Sequence, residues 1–151
     1  MNSEKYMAKV LLVEDDLDDA HLTSYILKKS KIKISLEIAK DGVEAMAYLR
    51  KTYPYEDKDT PDLVLLDLNI PRKDGRQVLL EIKNDATLCE VPVVILTTSS
   101  AVEDILASYR NHANCYVTKA ADYEGMVSIL KKIEDFWFNM VQLLSRIRED
   151  T

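Results

Sequence analysis

The sequence predicts an α/β protein: a parallel sheet covered by helices on both faces. Three observations predict it. Short apolar runs alternate with amphipathic stretches of helical spacing along the whole chain, the pattern of strand–helix–strand units in a parallel sheet. The run Leu63-Val64-Leu65-Leu66 is apolar at every position, as in a strand buried on both faces. Polar groups suited to chemistry fall directly after these runs, at the sheet edge where open α/β sheets bind ligands.

Each element has its own signal. Lys9 to Val13 reads as a buried strand, followed by the acidic cluster Glu14-Asp15-Asp16. Asp18 can cap a helix through about Lys29, with Leu22, Tyr25, Ile26 and Lys29 at helical spacing. Ile34 to Ala39 is a second strand, closed by the Lys40-Asp41-Gly42 turn. Val43 to about Lys51 is helical, with Val43, Ala47 and Leu49-Arg50 near its turns. Thr52 to Asp62 is polar and holds Pro54 and Pro61, so it reads as a loop. Leu63 to Asp67 is the third strand, and the turn after it contains Pro71 and Asp74-Gly75. Arg76 to about Asn84 is helical, with Val78, Leu79 and Ile82 inward. Val93 to Thr97, Val102 to His112 and Cys115 to Thr118 give a fourth strand, a fourth helix and a fifth strand. A long helix is expected from about Tyr123 to near the end.

Composition narrows the function classes. The 151 residues can form one domain with a real core, and no boundary, repeat or low-complexity tract divides them. The formal net charge is −6, and no basic stretch offers a nucleic-acid footprint. The opening MNSEKYMAKV lacks the apolar core of a signal peptide, and no apolar run approaches the ~18 residues of a membrane span. Cys89 and Cys115 have no metal-ligand spacing and read as reduced thiols in a cytoplasmic protein. Three glycines in all leave no glycine-rich phosphate loop, which argues against a flavin or nucleotide carrier.

The candidate site gathers at one edge. Glu14 and Asp15 follow strand one, Asp67 ends strand three, Thr97 and Thr98 end strand four, and Lys119 follows strand five. Carboxylates crowded together need a counter-charge. A Mg²⁺ ion suits them, being hard and preferring oxygen ligands. Lys119 and the Thr97 hydroxyl are then free to hold an anion, so the site reads as built for a phosphoryl group on or near a carboxylate.

At LLVEDD (11–16), LLDLNIPRKDG (65–75), VVILTTS (93–99) and CYVTKA (115–120) the sequence resembles the receiver domains of two-component response regulators. The resemblance spans residues 9 to about 133 and implies a flavodoxin-like, doubly wound five-stranded parallel sheet of order 2-1-3-4-5. More closely, the chain resembles the single-domain regulators that partner cyanobacterial phytochrome kinases, through Tyr53-Pro54-Tyr55-Glu56, Asn114-Cys115-Tyr116 and Ile133-Glu134-Asp135-Phe136-Trp137. The resemblance implies a sensor histidine kinase as partner, with Asp67 taking the phosphoryl group from its phosphohistidine. It places Asp15 as the principal Mg²⁺ ligand with Glu14 in the outer shell, the Asn69 backbone carbonyl on the metal, and Lys119 on a phosphoryl oxygen. Thr97 and Tyr116 would be the switch: Thr97 moves toward the phosphoryl group and Tyr116 rotates inward. One departure stands out. Ala120 occupies a position where the family usually has a proline in a cis Lys-Pro bond. A cis bond without proline costs about 3–4 kcal/mol, so Lys119-Ala120 is either strained or rearranged.

In the last helix Met126, Leu130, Ile133, Trp137, Met140, Leu144 and Ile147 alternate by four and three, a heptad seam. Its first half is expected to cover the sheet and its second half to outrun it, with residues 135–151 as an extension of a core at about 8–134. Phe136, Trp137 and Phe138 fan over about 200° of helix, too wide for one face to bury. With Met140 they are expected to form an exposed interface, giving a homodimer through the fourth helix, fifth strand and last helix, with a kinase-docking surface or the groove of an unknown downstream protein as the other uses. A haloacid-dehalogenase-like phosphatase is the enzyme alternative. It needs an acid two residues after Asp67, where Asn69 cannot serve, so the chain reads as a signalling protein and not an enzyme. A binding module independent of phosphorylation is the third reading.

Overall fold

The computed structural model describes residues 7–145 and 147. Five strands, β1 (Met7–Val13), β2 (Lys33–Ala39), β3 (Leu63–Leu66), β4 (Val93–Thr97) and β5 (Cys115–Thr118), form one parallel sheet in the order β2-β1-β3-β4-β5. Between and after them run α1 (Leu17–Leu27), α2 (Gly42–Leu49), α3 (Gly75–Asn84), α4 (Val102–Arg110) and α5 (Tyr123–Glu134). The doubly wound order anticipated from the sequence is present.

The period-two alternation of a strand splits the core into two layers. Leu11, Val13, Val64, Leu66, Val93 and Ile95 face α2 and α3. Val10, Leu12, Leu63, Leu65, Val94 and Leu96 face α1 and α5. α3 buries Val78, Leu79 and Ile82 as its spacing predicts. α1 packs Leu22 and Ile26 inward as expected and buries Ala20, Thr23 and Leu27 with them, while Tyr25 is exposed beneath the Lys29 ammonium, 4.1 Å from its ring centre. α2 likewise buries Ala45, Met46, Tyr48 and Leu49 and leaves Val43 partly in solvent.

Four helices begin on an aspartate whose carboxylate accepts a first-turn N–H: Asp16, Asp41, Asp74 and Asp122. Asp16, not Asp18, caps α1. α4 begins on Ala101 with no side-chain cap.

The C-terminal segment departs from the expected long helix. α5 stops at Glu134, Asp135–Met140 widens into a π-helical turn, and Val141 is extended. The wider turn changes the angular step between neighbours, so Trp137 and Phe138 both point into the α1/α5 layer, at 8% and 2% exposure, while Phe136 stays half exposed. The expected exposed triplet is therefore corrected: Phe136 and Met140 face solvent, and Trp137 and Phe138 are core. The heptad seam is broken after Trp137. The chain then folds back to Asp62, burying Leu143 in the same layer as Val10 and Leu63. Residues 146 and 148–151, which complete the expected helix, lie outside the described residues.

Two clamps fix the end of the sheet opposite the candidate site. The buried Asp62 carboxylate accepts from the Lys9 N–H (2.8 Å) and the Ser145 N–H (3.2 Å), tying β1 to the returning segment. Lys83 donates to the carbonyls of Cys89 (3.1 Å) and Val91 (2.8 Å) and to Asn114 Oδ1 (3.1 Å). Asn114 Oδ1 also accepts from the Val93 N–H at 2.9 Å, closing the entry to β5. No helix among the described residues is long and apolar enough to cross a membrane.

Candidate functional site

Strand register builds the site. Val13 pairs with Leu66, and Thr97 with Thr118, so the residues that follow emerge together. Backbone bonds continue past the strand ends: Glu14 N–H donates to Ala39 (3.0 Å), Asp67 N–H to Val13 (3.1 Å) and Lys119 N–H to Thr97 (2.7 Å). Gly75 lets α3 start against this edge. A Cβ there would lie 2.2 Å from the Asp67 carbonyl oxygen, so only glycine fits.

Lys119 is the centre of charge. Its side chain is 5% exposed, and its ammonium donates to Glu14 Oε2 (2.5 Å), Asp19 Oδ2 (2.9 Å) and Asp67 Oδ2 (3.1 Å). An ammonium has three protons to donate, and each finds a carboxylate. Burial alone would pull the lysine pKa down, but bonds to Glu14 and Asp19 and the charge of Asp67 outweigh it and hold Lys119 above its ordinary value. Burial pushes Glu14 upward, offset in part by Lys119. Lys119-Ala120 is trans, since Tyr53-Pro54 is the cis bond among the described residues. The turn thus adopts the rearranged form, and the lysine still reaches Asp67.

Asp15 is exposed beside this cluster, and one carboxylate oxygen from each of Glu14, Asp15 and Asp67 lies within 4.8 Å of the others. Glu14, Asp19 and Asp67 share the ammonium of Lys119, and Asp15 stands beside Glu14 and Asp67, so carboxylates outnumber the cation that meets them. A hard divalent cation fits that oxygen donor set. Asn69 is exposed at the mouth, and its N–H donates to Asp67 Oδ1 at 3.1 Å. Thr97 is fully buried at the end of β4. Tyr116 is half-buried against the core, and its hydroxyl donates to the Ser99 carbonyl at 2.9 Å.

The structure also brings in residues that sequence reasoning missed. Asp19 joins Lys119 because the Asp16 cap sets α1 so that its first turn faces the site. Counting one turn on from that cap would have found it. Arg76 and Asp104 meet across 28 positions of sequence (Nε to Oδ1 2.8 Å, Nη2 to Oδ2 2.9 Å), a pairing with no local signal.

The family model described as response regulator receiver domain matches residues 10–131. The chain belongs to this family. It is 46% identical over 144 residues to response regulator Rcp1 of Synechocystis sp., covering 95% of this chain and 98% of that protein. The crystal structure of the phosphorylated cyanobacterial phytochrome response regulator RcpA superposes with a TM-score of 0.90 at 46% identity, covering 92% of this chain and 99% of that one. The Mn²⁺-bound form of Rcp1 superposes with a TM-score of 0.88 at 46% identity, covering 90% and 98%. Receiver domains take a phosphoryl group from a kinase and bind a divalent metal, and the acidic cluster here is of that kind.

Proposed function

We propose that this chain is a single-domain response regulator in which Asp67 accepts a phosphoryl group from the phosphohistidine of a sensor histidine kinase. The observation that carries the reading is the Lys119 ammonium shared between Asp67 and Glu14, beside the exposed Asp15. An Asp67 oxygen attacks phosphorus, the phosphorus–nitrogen bond breaks, and the leaving imidazole takes up a proton. Charge on the transferring group spreads over its oxygens. Lys119 is preorganised to meet one of them, and the Asn69 N–H holds the attacking carboxylate in place. Asp15, Asp67 and the Asn69 carbonyl would hold Mg²⁺, with Glu14 behind them, and the ion would supply further charge neutralisation. The phosphorylated Asp67 is the signal carried forward, and with Asn69 where a haloacid-dehalogenase-like phosphatase needs an acid the chain acts as a signalling protein.

The output runs through Thr97 and Tyr116 to the surface of α4, β5 and α5. Half-exposed Phe136 lies beside β5 and α5, and exposed Met140 is the second apolar residue we assign to the interface. A cavity of about 260 Å³, lined by Cys115, Val117, Ile129, Ile133 and Phe136 with Lys132 at its rim, supports its use as an interface between two copies. The likeness to a phytochrome response regulator over nearly its whole length supports a phytochrome as the kinase, and a cytoplasmic setting follows from that partner. The test is intact mass after incubation with Mg²⁺ and a small-molecule phosphodonor. One phosphoryl adduct is expected, absent in Asp67→Asn and without metal. A folded protein that takes no adduct from the donor or from a histidine kinase would overturn the assignment.

A further inference from the structure

We propose that Arg76 is a positioning residue that couples the phosphoacceptor loop to α4 by sharing one guanidinium between them. The proposal rests on the reading of Asp67 as phosphoacceptor. On the loop side, Arg76 Nη1 donates to the Asp74 carboxylate (3.1 Å) and, at 3.4 Å, to Asn69 Oδ1. The backbone N–H of that same Asn69 rests on Asp67 Oδ1. On the helix side, Nε and Nη2 hold both oxygens of Asp104 at 2.8 and 2.9 Å. Such a fork is stronger and more directional than a single contact.

What the fork holds is the helix most in need of holding. α4 lacks the aspartate cap that begins each of the other four helices. It buries little: Val102, Leu106 and Tyr109 are all exposed, and Ser108 is its one buried residue. Asp104 sits in its first turn and links it onward. The Ser99 hydroxyl donates to Asp104 Oδ2 at 2.6 Å, the Ser99 carbonyl receives the Tyr116 hydroxyl, and the Tyr109 hydroxyl accepts from the Tyr116 N–H at 3.2 Å. A continuous chain of contacts thus runs from Asp67 through Asn69, Arg76, Asp104 and Ser99 to Tyr116.

Phosphorylation exchanges the single carboxylate charge of Asp67 for a phosphoryl group that carries about −1.5 to −2 and stands further out toward Arg76. That charge and Asp104 compete for the same guanidinium. Movement of Arg76 toward the phosphoryl group weakens its hold on Asp104 and frees the first turn of α4, while Ser99 and Tyr116 lose a fixed neighbour. The coupling therefore belongs to a specific charged pair and not to the general softness of α4.

Amide hydrogen exchange over residues 99–110 tests this, with and without Mg²⁺ and beryllium fluoride as the phosphoryl stand-in, adduct formation being checked by native mass. In the unsubstituted protein, exchange should rise roughly fivefold or more on adduct formation, the scale of an ordinary coupling. Arg76→Gln and Asp104→Asn should exchange fast in both states and respond little to the adduct. A merely structural Arg76 would speed both states by one factor and keep the response, which would overturn the proposal. So would an unsubstituted protein that carries the adduct with unchanged exchange. Failure of the unsubstituted protein to form any adduct would instead sink the assignment of Asp67, and this coupling with it.

Discussion

Replacing Phe138 by alanine separates the observed C-terminal turn from a straight helix more sharply than any other change. Phe138 is 2% exposed and lies in the α1/α5 layer with Leu130 and Ile133. Phe-to-Ala truncations in such surroundings cost about 3–5 kcal/mol. With a urea m-value of about 2 kcal/mol/M, a loss of about 3–4 kcal/mol moves the unfolding midpoint by about 1.5–2 M. Phe136 is the matched control. It is 49% exposed and touches Trp137 edge-on at 5.4 Å between ring centres. Its truncation should cost about 1 kcal/mol, or about 0.5 M at the same m-value. Urea titrations followed by far-UV circular dichroism and by the emission of Trp137, the one tryptophan, give both numbers. Equal shifts for the two variants would refute the burial of Phe138 and restore the evenly fanned aromatic triplet.

Lys119→Met leaves Glu14, Asp19 and Asp67 facing one another without their shared cation. Stripping one partner from a buried ion cluster costs about 3 kcal/mol, to be read as a lower urea midpoint, and a variant as stable as the parent would contradict the central place of this ammonium. Asp104 sits below its ordinary pKa, chiefly through Arg76 and then through the Ser99 hydroxyl. A carboxylate depressed in the folded state stabilises above its unfolded pKa of about 3.9 and loses that contribution as pH falls through the folded value. The stability gap between the protein and Asp104→Asn should therefore hold steady from about pH 7 to 5 and close below about pH 4; denaturation curves at stepped pH would show a persistent gap if the tie were not one of charge.

The sheet was legible because its signal is local. An all-apolar run such as Leu63–Leu66 must be buried on both faces, and the polar residue after it must stand at the sheet edge. Glu14, Asp67 and Lys119 could be brought together from that rule before any distance was known, and the structure joins them within hydrogen-bonding reach. The C-terminal segment was not legible, since the four-three spacing from Met126 to Ile147 suits a continuous helix as well as one interrupted by a π-helical turn. Only the fit of Trp137, Phe138 and Leu143 against α1 and the sheet decides between them. Tyr25 falls outside the inward stripe that its spacing with Leu22 and Ile26 suggests, because its ring is content in water beside Lys29. Asp62 was hidden for the opposite reason. An acid in a polar loop gives no sign that two backbone N–H groups will bury it.

The clamp at Asn114 makes β5 a strut. The strand is pinned where it enters by Lys83 and the Val93 N–H, and its far end carries the lysine on which the carboxylates converge. Between pin and load lie the residues of Cys115–Thr118, about 13 Å of strand at roughly 3.3 Å per residue. Because β5 is paired with β4 from Cys115 to Thr118 and the Lys119 N–H rests on the Thr97 carbonyl, the strand is braced along its length, and the lysine is presented to the carboxylates from a fixed mount at the edge of the sheet.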